Sequence, residues 1–486
     1  MKNTTPLFPH FHLQTLRRTP RSARQVLLDK ATQLKEKSLT ELCECVGKFI
    51  PLHLLKNESS GAMSRRRIYS KENTFWGFFA QILDADGSCQ EIVHKIQAYA
   101  ATKGKKAISS STSGFCQARQ KLELPMLESI LAKMPSKSSF AKDDSMNNRR
   151  VLVVDGTGIS MPDTLENQSA WPQPNSQKPG CGFPQARLCA CFNLQTGLMH
   201  SYQLGNKKSA ELPLFRQQWE TFKTGDIVLG DKGFCSFYDM SKLSDRDVDT
   251  VITLGVRKPT SECLAKRVLG KDDLLVHWQK PAKPSTTYPK KEWEDLPETL
   301  TIRQIKVTVD QPGFRVSSFY IVTTLLDVTR YPAAAIADLY VKRWDVELFF
   351  RDIKTTMGMD ILRCKTPEMV RKEIAMYWIV YNCIRCVMLD ASCRQSAPAR
   401  RISFKGAVQA LRQWEPHFNR QKTTQSERAD LLLLLYERIA KTTVPDRPGR
   451  REPRAVKRRP KPFRLLTKPR HEMFEIQHRS GYAKPA

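Results

Sequence analysis

Residues 151–158 read Val-Leu-Val-Val-Asp-Gly-Thr-Gly, and residues 227–233 read Ile-Val-Leu-Gly-Asp-Lys-Gly. In each stretch a short apolar run, typical of a buried strand, ends at an aspartate: Asp155 in the first and Asp231 in the second. An Asp-Gly pair at the end of a strand usually forms a turn. Neither aspartate alone therefore indicates a catalytic or metal-binding role, and a further acidic group in the same region is needed for that prediction.

Residues 340–354 provide that group, because they read YVKRWDVELFFRDIK and their pattern predicts a helix. At about 100° per residue, four polar side chains of this helix fall within an arc of about 60°; they are Tyr340, Arg343, Glu347 and Lys354. Apolar and aromatic residues flank this stripe, among them Val346, Phe350 and Trp344. A solvated face would not be enclosed in this way, so the pattern indicates a stripe that faces a cleft. A structural ion-pair network, with Arg343 simply pairing with Glu347, is the alternative.

Three carboxylates that converge on one cleft, Asp155, Asp231 and Glu347, suit a divalent cation. Hard oxygen ligands bind Mg²⁺ and leave coordination positions for water and phosphate. Two such ions about 3.5–4 Å apart serve phosphodiester displacement, and Mn²⁺ has similar ligand preferences. Arg343 and Lys354 add fixed positive charge for phosphate. The combination predicts polynucleotidyl transfer.

The spacing Tyr340-x2-Arg343-x3-Glu347-x6-Lys354 matches the YREK signature, and the chain therefore resembles bacterial insertion-sequence DDE transposases of the IS-four family. The flanking residues 161–164 (MPDT) and 230–236 (GDKGFCS) are similar to that family as well. The resemblance covers about residues 70–470 and is strongest in the three acidic blocks.

The resemblance implies an α/β fold with an RNase H-like catalytic core, a mixed sheet flanked by helices. It also implies that a β-rich insertion interrupts this core, in residues 251–322, and that a helical DNA-binding domain and a helical, basic C-terminal region flank it. Asp155, Asp231 and Glu347 resemble the DDE metal ligands, which implies two Mg²⁺ ions with Mn²⁺ as a substitute.

The same resemblance implies DNA contacts. Tyr340, Arg343 and Lys354 resemble the residues that contact the 5′ phosphate and flanking nucleotides of the transposon end. The family stacks a flipped base on a strand tryptophan; here Phe319 or Tyr320 would take that place. Lys232 stands where relatives often have arginine, which keeps the charge and loses the planar fork.

The charge distribution points to the same partner, since 79 Lys and Arg against 49 Asp and Glu give a net charge of +30. Residues 1–150 carry +12 and residues 441–486 carry +10, which leaves +8 for the rest. Such an excess favours nucleic acid over an anionic membrane. A helix with Gln117, Arg119 and Lys121 is compatible with a helix-turn-helix-like DNA reader, and an ordinary helical bundle is the alternative.

These patterns predict a domain order along the chain. We expect a basic helical N-terminal DNA-binding domain in residues 1–136 and a linker in 137–150. The catalytic core follows in residues 151–250 and 323–391, on both sides of the insertion at 251–322, and the C-terminal region with its Pro- and Arg-rich tail in 392–486. The apolar stretch 375–389 is expected to be too short for a membrane span of about 20 residues. Scattered cysteines, including Cys383 and Cys386, are expected to be small core residues of a reduced protein.

The expected function is cut-and-paste transposition of an insertion sequence by a cytoplasmic, nucleoid-associated bacterial protein. Double-stranded DNA, both the terminal repeats and the target, is the expected partner; a homodimer is expected to hold two ends together, and no membrane is involved. Three alternatives stay open: a nuclease of the same fold without strand transfer, a domesticated DNA-binding protein without catalysis, and a basic RNA-binding protein.

Overall fold

The computed structural model describes residues 45–57, 60–61, 63–64, 68–102, 107–137, 146–207, 209–254, 263–282, 288–308, 318–419, 424–445, 468–469 and 472. The basic residues 1–44 and most of the tail after residue 445 lie outside them, as does most of the expected linker. The predictions made for those segments stay predictions.

Nine strands form the sheet of the described chain. They are β1 (Val151–Ser160), β2 (Gln185–Asn193), β3 (Met199–Asn206), β4 (Ile227–Gly230), β5 (Asp249–Thr253), β6 (Cys263–Gly270), β7 (Asp273–Gln279), β8 (Thr299–Thr308) and β9 (Ser318–Thr323). Their order across the sheet is β3-β2-β1-β4-β5-β9-β8-β7-β6. The neighbours β1, β4 and β5 run parallel, and the other neighbouring pairs are antiparallel.

The helices follow the chain in this order: α1 (Lys71–Leu83), α2 (Cys89–Thr102), α3 (Ser113–Lys121), α4 (Leu124–Lys137), α5 (Leu165–Ala170), α6 (Glu211–Arg216), α7 (Phe237–Ser244), α8 (Lys290–Glu294), α9 (Ala333–Val341), α10 (Asp345–Arg351), α11 (Pro367–Gln395), α12 (Phe404–Trp414) and α13 (Gln425–Lys441).

Helices cover both faces of the sheet. Since side chains alternate across β1, successive residues of this strand pack against different helical layers. Val151, Val153 and Ile159 belong to the larger hydrophobic cluster, which includes the central helix α11. Val154 belongs to the second cluster, with side chains of α6 and α7. This mixed sheet between helical layers confirms the α/β fold class, and the order β3-β2-β1-β4-β5 is the RNase H-like core that the resemblance implies.

The β-rich stretch after the second aspartate extends the core sheet. β5 pairs with β9 through Val251–Thr323, Ile252–Val322 and Thr253–Ile321, and β8, β7 and β6 continue outward from β9. The stretch 251–322 therefore begins inside a core strand, and in the described residues its strands belong to the same sheet as β1.

The expectation about the apolar stretch 375–389 needs correction. It belongs to α11, a helix of 29 residues that is long and apolar enough to cross a membrane by length and composition. The apolar window of that helix is 100% buried inside the protein. Burial by the protein, and not insufficient length, is the observation that explains its composition as a core helix.

Buried cysteines behave as the sequence predicts. Cys189, Cys191, Cys383 and Cys386 are free thiols with at most 5% of their surface exposed. Each packs in one of the two hydrophobic clusters as a small apolar residue.

Candidate active site

The two aspartates meet where β4 stops. Asp231 directly follows β4 as predicted, whereas Asp155 lies within β1 and not at its end, contrary to the prediction. β1 pairs with β4 in parallel from Val151–Ile227 to Val153–Leu229. The same register, continued by two residues, brings Asp155 level with Asp231. β4 ends at Gly230, whereas β1 continues to Ser160 along β2. The aspartates therefore lie at a notch in the sheet where one side of β1 has lost its neighbour.

Each aspartate is oriented by the backbone just after it. Asp155 Oδ1 accepts a hydrogen bond from the Gly156 amide at 2.7 Å. Asp231 Oδ1 accepts one from the Gly233 amide at 2.8 Å. One oxygen of each carboxylate is thus held, and the other is left for a further contact.

Charges converge on Asp155. Burial raises the pKa of its carboxyl to about 6, the Gly156 amide and the charge of Arg343 lower it, and the charges of Asp231 and Glu211 raise it further. The pKa of Asp155 is therefore affected by two neighbouring carboxylates, those of Asp231 and Glu211, and by the guanidinium of Arg343. A carboxylate cluster of this kind is stabilised by a cation.

The chain from Tyr340 to Lys354 is not one regular helix, contrary to the prediction. α9 ends at Val341, residues Lys342–Trp344 form a 3-10 turn, α10 follows, and residues Asp352–Thr356 form a π-helical turn. Tighter and wider turns change the angle between successive side chains. The arc of about 60° for the four polar residues assumed an ideal helix and does not apply.

Tyr340 contacts the backbone next to Asp231. Its side chain is buried, with 4% of its surface exposed. The hydroxyl is 2.6 Å from the Thr253 hydroxyl and donates to the Gly230 carbonyl at 3.3 Å. Tyr340 thereby ties the end of α9 to the residue that precedes Asp231.

Arg343 faces Asp155 and does not neutralise Glu347. Its guanidinium lies over the rings of Tyr340 and Trp344, at 5.7 and 5.8 Å from their centroids. Its charge lowers the pKa of Asp155. Within the described residues, no ion pair joins Arg343 to Glu347, so the simple pairing of these two side chains is not formed.

Glu347 is exposed on α10, next to the exposed Leu348. In the part of the chain that the structure describes, no three His, Cys, Asp or Glu side chains are grouped closely enough to hold a metal ion. The predicted stripe therefore runs from the buried Tyr340 to the exposed Glu347. The strand register thus brings Asp155 and Asp231 together, and Glu347 completes no metal-binding group with them in the described residues.

Lys354 approaches the other end of the same strand. Its Nζ donates to the Thr157 hydroxyl at 2.8 Å and to the Gly158 carbonyl at 2.9 Å. Burial lowers the pKa of Lys354, the charge of Asp360 raises it and the charge of Lys207 lowers it. Lys354 is thus anchored two to three residues beyond Asp155 along β1.

Known proteins are similar to the part of the chain that carries this arrangement. A family model described as the transposase DDE domain matches residues 147–383, which contain both aspartates and the chain from Tyr340 to Lys354. The chain is also 26% identical, over 335 residues, to the transposase InsG for insertion sequence element IS4 of Escherichia coli K12, covering 68% of this chain and 73% of that protein. Residues 147–383 are thus a transposase DDE domain, and the chain is similar to the transposases of insertion sequences.

Two further comparisons show how far the likeness extends. The transposase is 22% identical over 287 residues to the transposase for insertion sequence element IS421 of Escherichia coli, covering 54% of this chain and 70% of that protein. Among solved structures, it matches the piggyBac transposase synaptic complex with hairpin DNA with a TM-score of 0.40 and 11% identity, covering 88% of this chain and 86% of that chain.

The two aromatic candidates of the transposase lie on opposite faces of β9. The ring of Phe319 packs on Tyr340, with 5.5 Å between ring centroids. Tyr320 is the next residue, so its side chain points to the other face. Phe319 is therefore the candidate that lies beside the aspartates, and Lys232 is exposed in the turn directly after Asp231.

The three N-terminal candidates differ in their surroundings. Gln117 and Lys121 are exposed on α3. Arg119 is held within the transposase, because its guanidinium donates to Gln81 Oε1 at 2.5 Å and lies 4.8 Å from the centroid of the Phe78 ring. Only Gln117 and Lys121 of this set present their side chains freely to solvent.

Sequence reasoning missed two charged residues near the site: Lys207, directly after β3, and Glu211, the first residue of α6. Glu211 raises the pKa of Asp155, and its Oε1 accepts from Arg187 at 3.1 Å. Lys207 lowers the pKa of Lys354. The only trace of them in the sequence is indirect: glycines at positions 156 and 158, two apart on one face of β1.

Proposed function

We propose that this transposase excises its insertion sequence from double-stranded DNA and joins it to a target. It binds the terminal repeats, and water attack nicks one strand at each end. The freed 3′-OH attacks the opposite strand to give a hairpin, a second water opens the hairpin, and the 3′-OH finally joins the target DNA. We place this activity in the bacterial cytoplasm, at the nucleoid.

The observation that carries the proposal is the pair of carboxylates at the sheet notch, Asp155 and Asp231, within a transposase DDE domain. Their oxygens are the hard donors that Mg²⁺ prefers, and their mutual repulsion is relieved by a cation. The two aspartates therefore fit a divalent ion. We assign Glu347 as the third ligand from the motif.

Two Mg²⁺ ions, with Mn²⁺ as a substitute, would activate the attacking oxygen and stabilise the leaving oxygen. The side chains of the protein have the remaining tasks. Arg343 and Lys354 hold phosphates on either side of the scissile bond by charge-assisted hydrogen bonds. Phe319 is half-buried beside them and packs on the buried Tyr340, so a displaced base can stack on the Phe319 ring.

We also propose that a homodimer carries out the reaction, because two ends have to be held while both are cut and joined. Gln117 and Lys121 would contact the terminal repeat, and Lys232 a phosphate beside Asp231. Arg119 would support α3 from within, since its guanidinium already binds Gln81.

The test is incubation of the protein with linear DNA that carries the terminal repeats of its own element, a target plasmid and Mg²⁺ or Mn²⁺. We expect nicked ends, hairpins and joined products from the native protein. Asp155→Ala, Asp231→Ala and Glu347→Ala should each abolish nicking and leave end binding nearly unchanged. Asp245→Ala, an exposed aspartate of the same core, is the matched control and should nick normally.

Each product separates one alternative. Nicks without joined products would indicate a nuclease, and end binding without nicks in either metal would indicate a lapsed DNA-binding protein. A variant of one of the three acids that nicks at the native rate would remove that acid from the proposed site.

A further inference from the structure

Two glycines of β1 make room for two charged side chains, one directly after β3 and one at the start of α6. A Cβ on Gly156 would collide with the carboxylate of Glu211. A Cβ on Gly158 would lie 3.1 Å from Lys207 Nζ, which is closer than most real contacts of a Cβ. Lys207 Nζ therefore lies over the face of β1 that Gly158 leaves open, three residues beyond Asp155.

A second ammonium group approaches the same glycine. Lys354 Nζ donates to the Gly158 carbonyl at 2.9 Å and to the Thr157 hydroxyl at 2.8 Å. An ammonium has three donors, so Lys354 keeps one free, whereas Lys207 donates to no residue in the described part of the chain. At least four N–H donors on two chain segments are thus unused at one point of the strand.

The acidic residues nearby do not neutralise this pair of cations. Glu211, the acid on the segment that carries Lys207, is paired with Arg187 at 3.1 Å. The charge of Asp360 raises the pKa of Lys354, but burial and Lys207 lower it and the net direction is downward. Since the charge of Lys207 lowers the pKa of Lys354, the two ammonium groups repel each other, and an anion between them would relieve that repulsion.

We propose that Lys207 and Lys354 together bind one phosphate group of the DNA strand, beside the carboxylates of Asp155 and Asp231. This inference rests on the proposed function and adds to it a residue outside the YREK motif. Three residues of an extended strand span about 10 Å. The bound phosphate therefore lies within a few nucleotides of the scissile one.

The test combines variants of the protein with DNA that lacks one phosphate charge. Lys207→Met and Lys207→Arg are compared with the native protein and with Lys223→Met, a matched control at an exposed lysine of the same core. Each protein is assayed for end binding and nicking on end substrates that carry a single methylphosphonate, placed in turn at each of the five phosphates on either side of the cut.

We expect Lys207→Met to weaken end binding or slow nicking about ten- to a hundredfold, the effect of one lost charge-assisted hydrogen bond. Lys207→Arg should restore most of the activity, and Lys223→Met should resemble the native protein. At one phosphate position, the methylphosphonate should reduce end binding or nicking by the native protein by a similar factor. The same methylphosphonate should not reduce the activity of Lys207→Met further, because the variant and the analogue remove the same interaction. Lys354→Met should be insensitive at the same phosphate.

Two results would overturn the inference while leaving the proposed function intact. The first is that Lys207→Met binds and nicks the ends like the native protein. The second is that, at every phosphate position, the methylphosphonate reduces the activity of Lys207→Met by the same factor as that of the native protein. If the native protein neither bound nor cut the ends, the proposed function itself would fail. Lys207→Gln, with thermal unfolding measured for each protein, separates a folding defect from the loss of a phosphate contact.

Discussion

The π-helical turn that carries Lys354 depends on one buried ion pair, and breaking that pair should be costly. Arg385 of α11 donates from Nη2 to Asp352 Oδ2 at 2.6 Å, and each side chain has 10% of its surface exposed. Arg385 Nε also donates to the Tyr381 hydroxyl at 3.1 Å, which in turn donates to the Gly197 carbonyl at 2.8 Å. Arg385→Met would leave the Asp352 carboxylate buried without its partner.

The size of the effect follows from that burial. Removing one partner of a buried ion pair costs about 3–5 kcal/mol. At about 2–4 °C per kcal/mol for a domain of this size, the unfolding temperature should fall by about 6–20 °C. Asp352→Asn combined with Arg385→Met should recover much of the loss, since no unpaired charge then remains.

Arg351 offers a matched control, because it is the exposed neighbour of the same carboxylate. Its Nη2 lies 4.0 Å from Asp352 Oδ1, and its side chain is 61% exposed. Exposed pairs contribute about 0–1 kcal/mol, so Arg351→Met should change the unfolding temperature little. Arg385→Met should also slow the same steps as Lys354→Met, because Asp352 begins the turn that aims Lys354 at β1.

Scanning calorimetry and nicking time courses of these four variants provide the measurement. The reasoning is refuted if Arg385→Met and Arg351→Met lower the unfolding temperature equally. It is also refuted if the double variant is no more stable than Arg385→Met alone.

Three further predictions follow from the charges of the protein. Arg343→Ala and Lys354→Ala should slow hairpin formation and later steps more than the first nick, which time courses on one end substrate resolve; equal slowing of all steps would contradict a phosphate contact. Burial, and then the charge of Arg150, lower the pKa of His200 to about 4, so its contribution to stability is complete above pH 6.5 and is lost as the pH falls towards 4. The loss is up to about 3 kcal/mol, and His200→Gln should flatten the fall in urea midpoint between pH 7.5 and 4.5. Truncation after Val444 should reduce the slope of log binding constant against log salt, because fewer phosphates are then neutralised; an unchanged slope would show that the tail does not contact DNA.

The sequence predicts the two aspartates well because their signal is local. The apolar runs before Asp155 and Asp231 locate the strands that carry them, but only Asp231 follows a strand end, because β1 continues along β2 to Ser160. The parallel pairing of β1 with β4 then brings the two aspartates to one place in the sheet, as the resemblance implies.

The geometry between Tyr340 and Lys354 could not be predicted in the same way. A periodicity argument assumes about 3.6 residues per turn, whereas this segment contains a 3-10 turn and a π-helical turn. The contact of Asp352 with Arg385 joins residues 33 positions apart, and one sequence does not reveal it.

The segment after α6, which ends at Arg216, shows the same limit. There the Gln218 side chain is buried and donates to the carbonyls of Cys189 and Leu214. Its contact with Cys189 on β2 joins residues 29 positions apart, which one sequence does not reveal.

Lys207 and Glu211 could not be predicted from the sequence for a different physical reason. They lie where two glycines of β1 have no side chain. Glycine weakens a strand, so two of them within Asp155-Gly-Thr-Gly require a local cause. The cause is that the carboxylate of Glu211 and the ammonium of Lys207 occupy the space above Gly156 and Gly158. One short strand thereby carries carboxylates near Asp155 and ammonium groups near Gly158. A DNA strand that binds along β1 would contact first the carboxylates, which suit cations, and then the ammonium groups, which suit phosphate. Binding of one phosphate at the ammonium groups would fix which phosphodiester lies at the carboxylates and is cut.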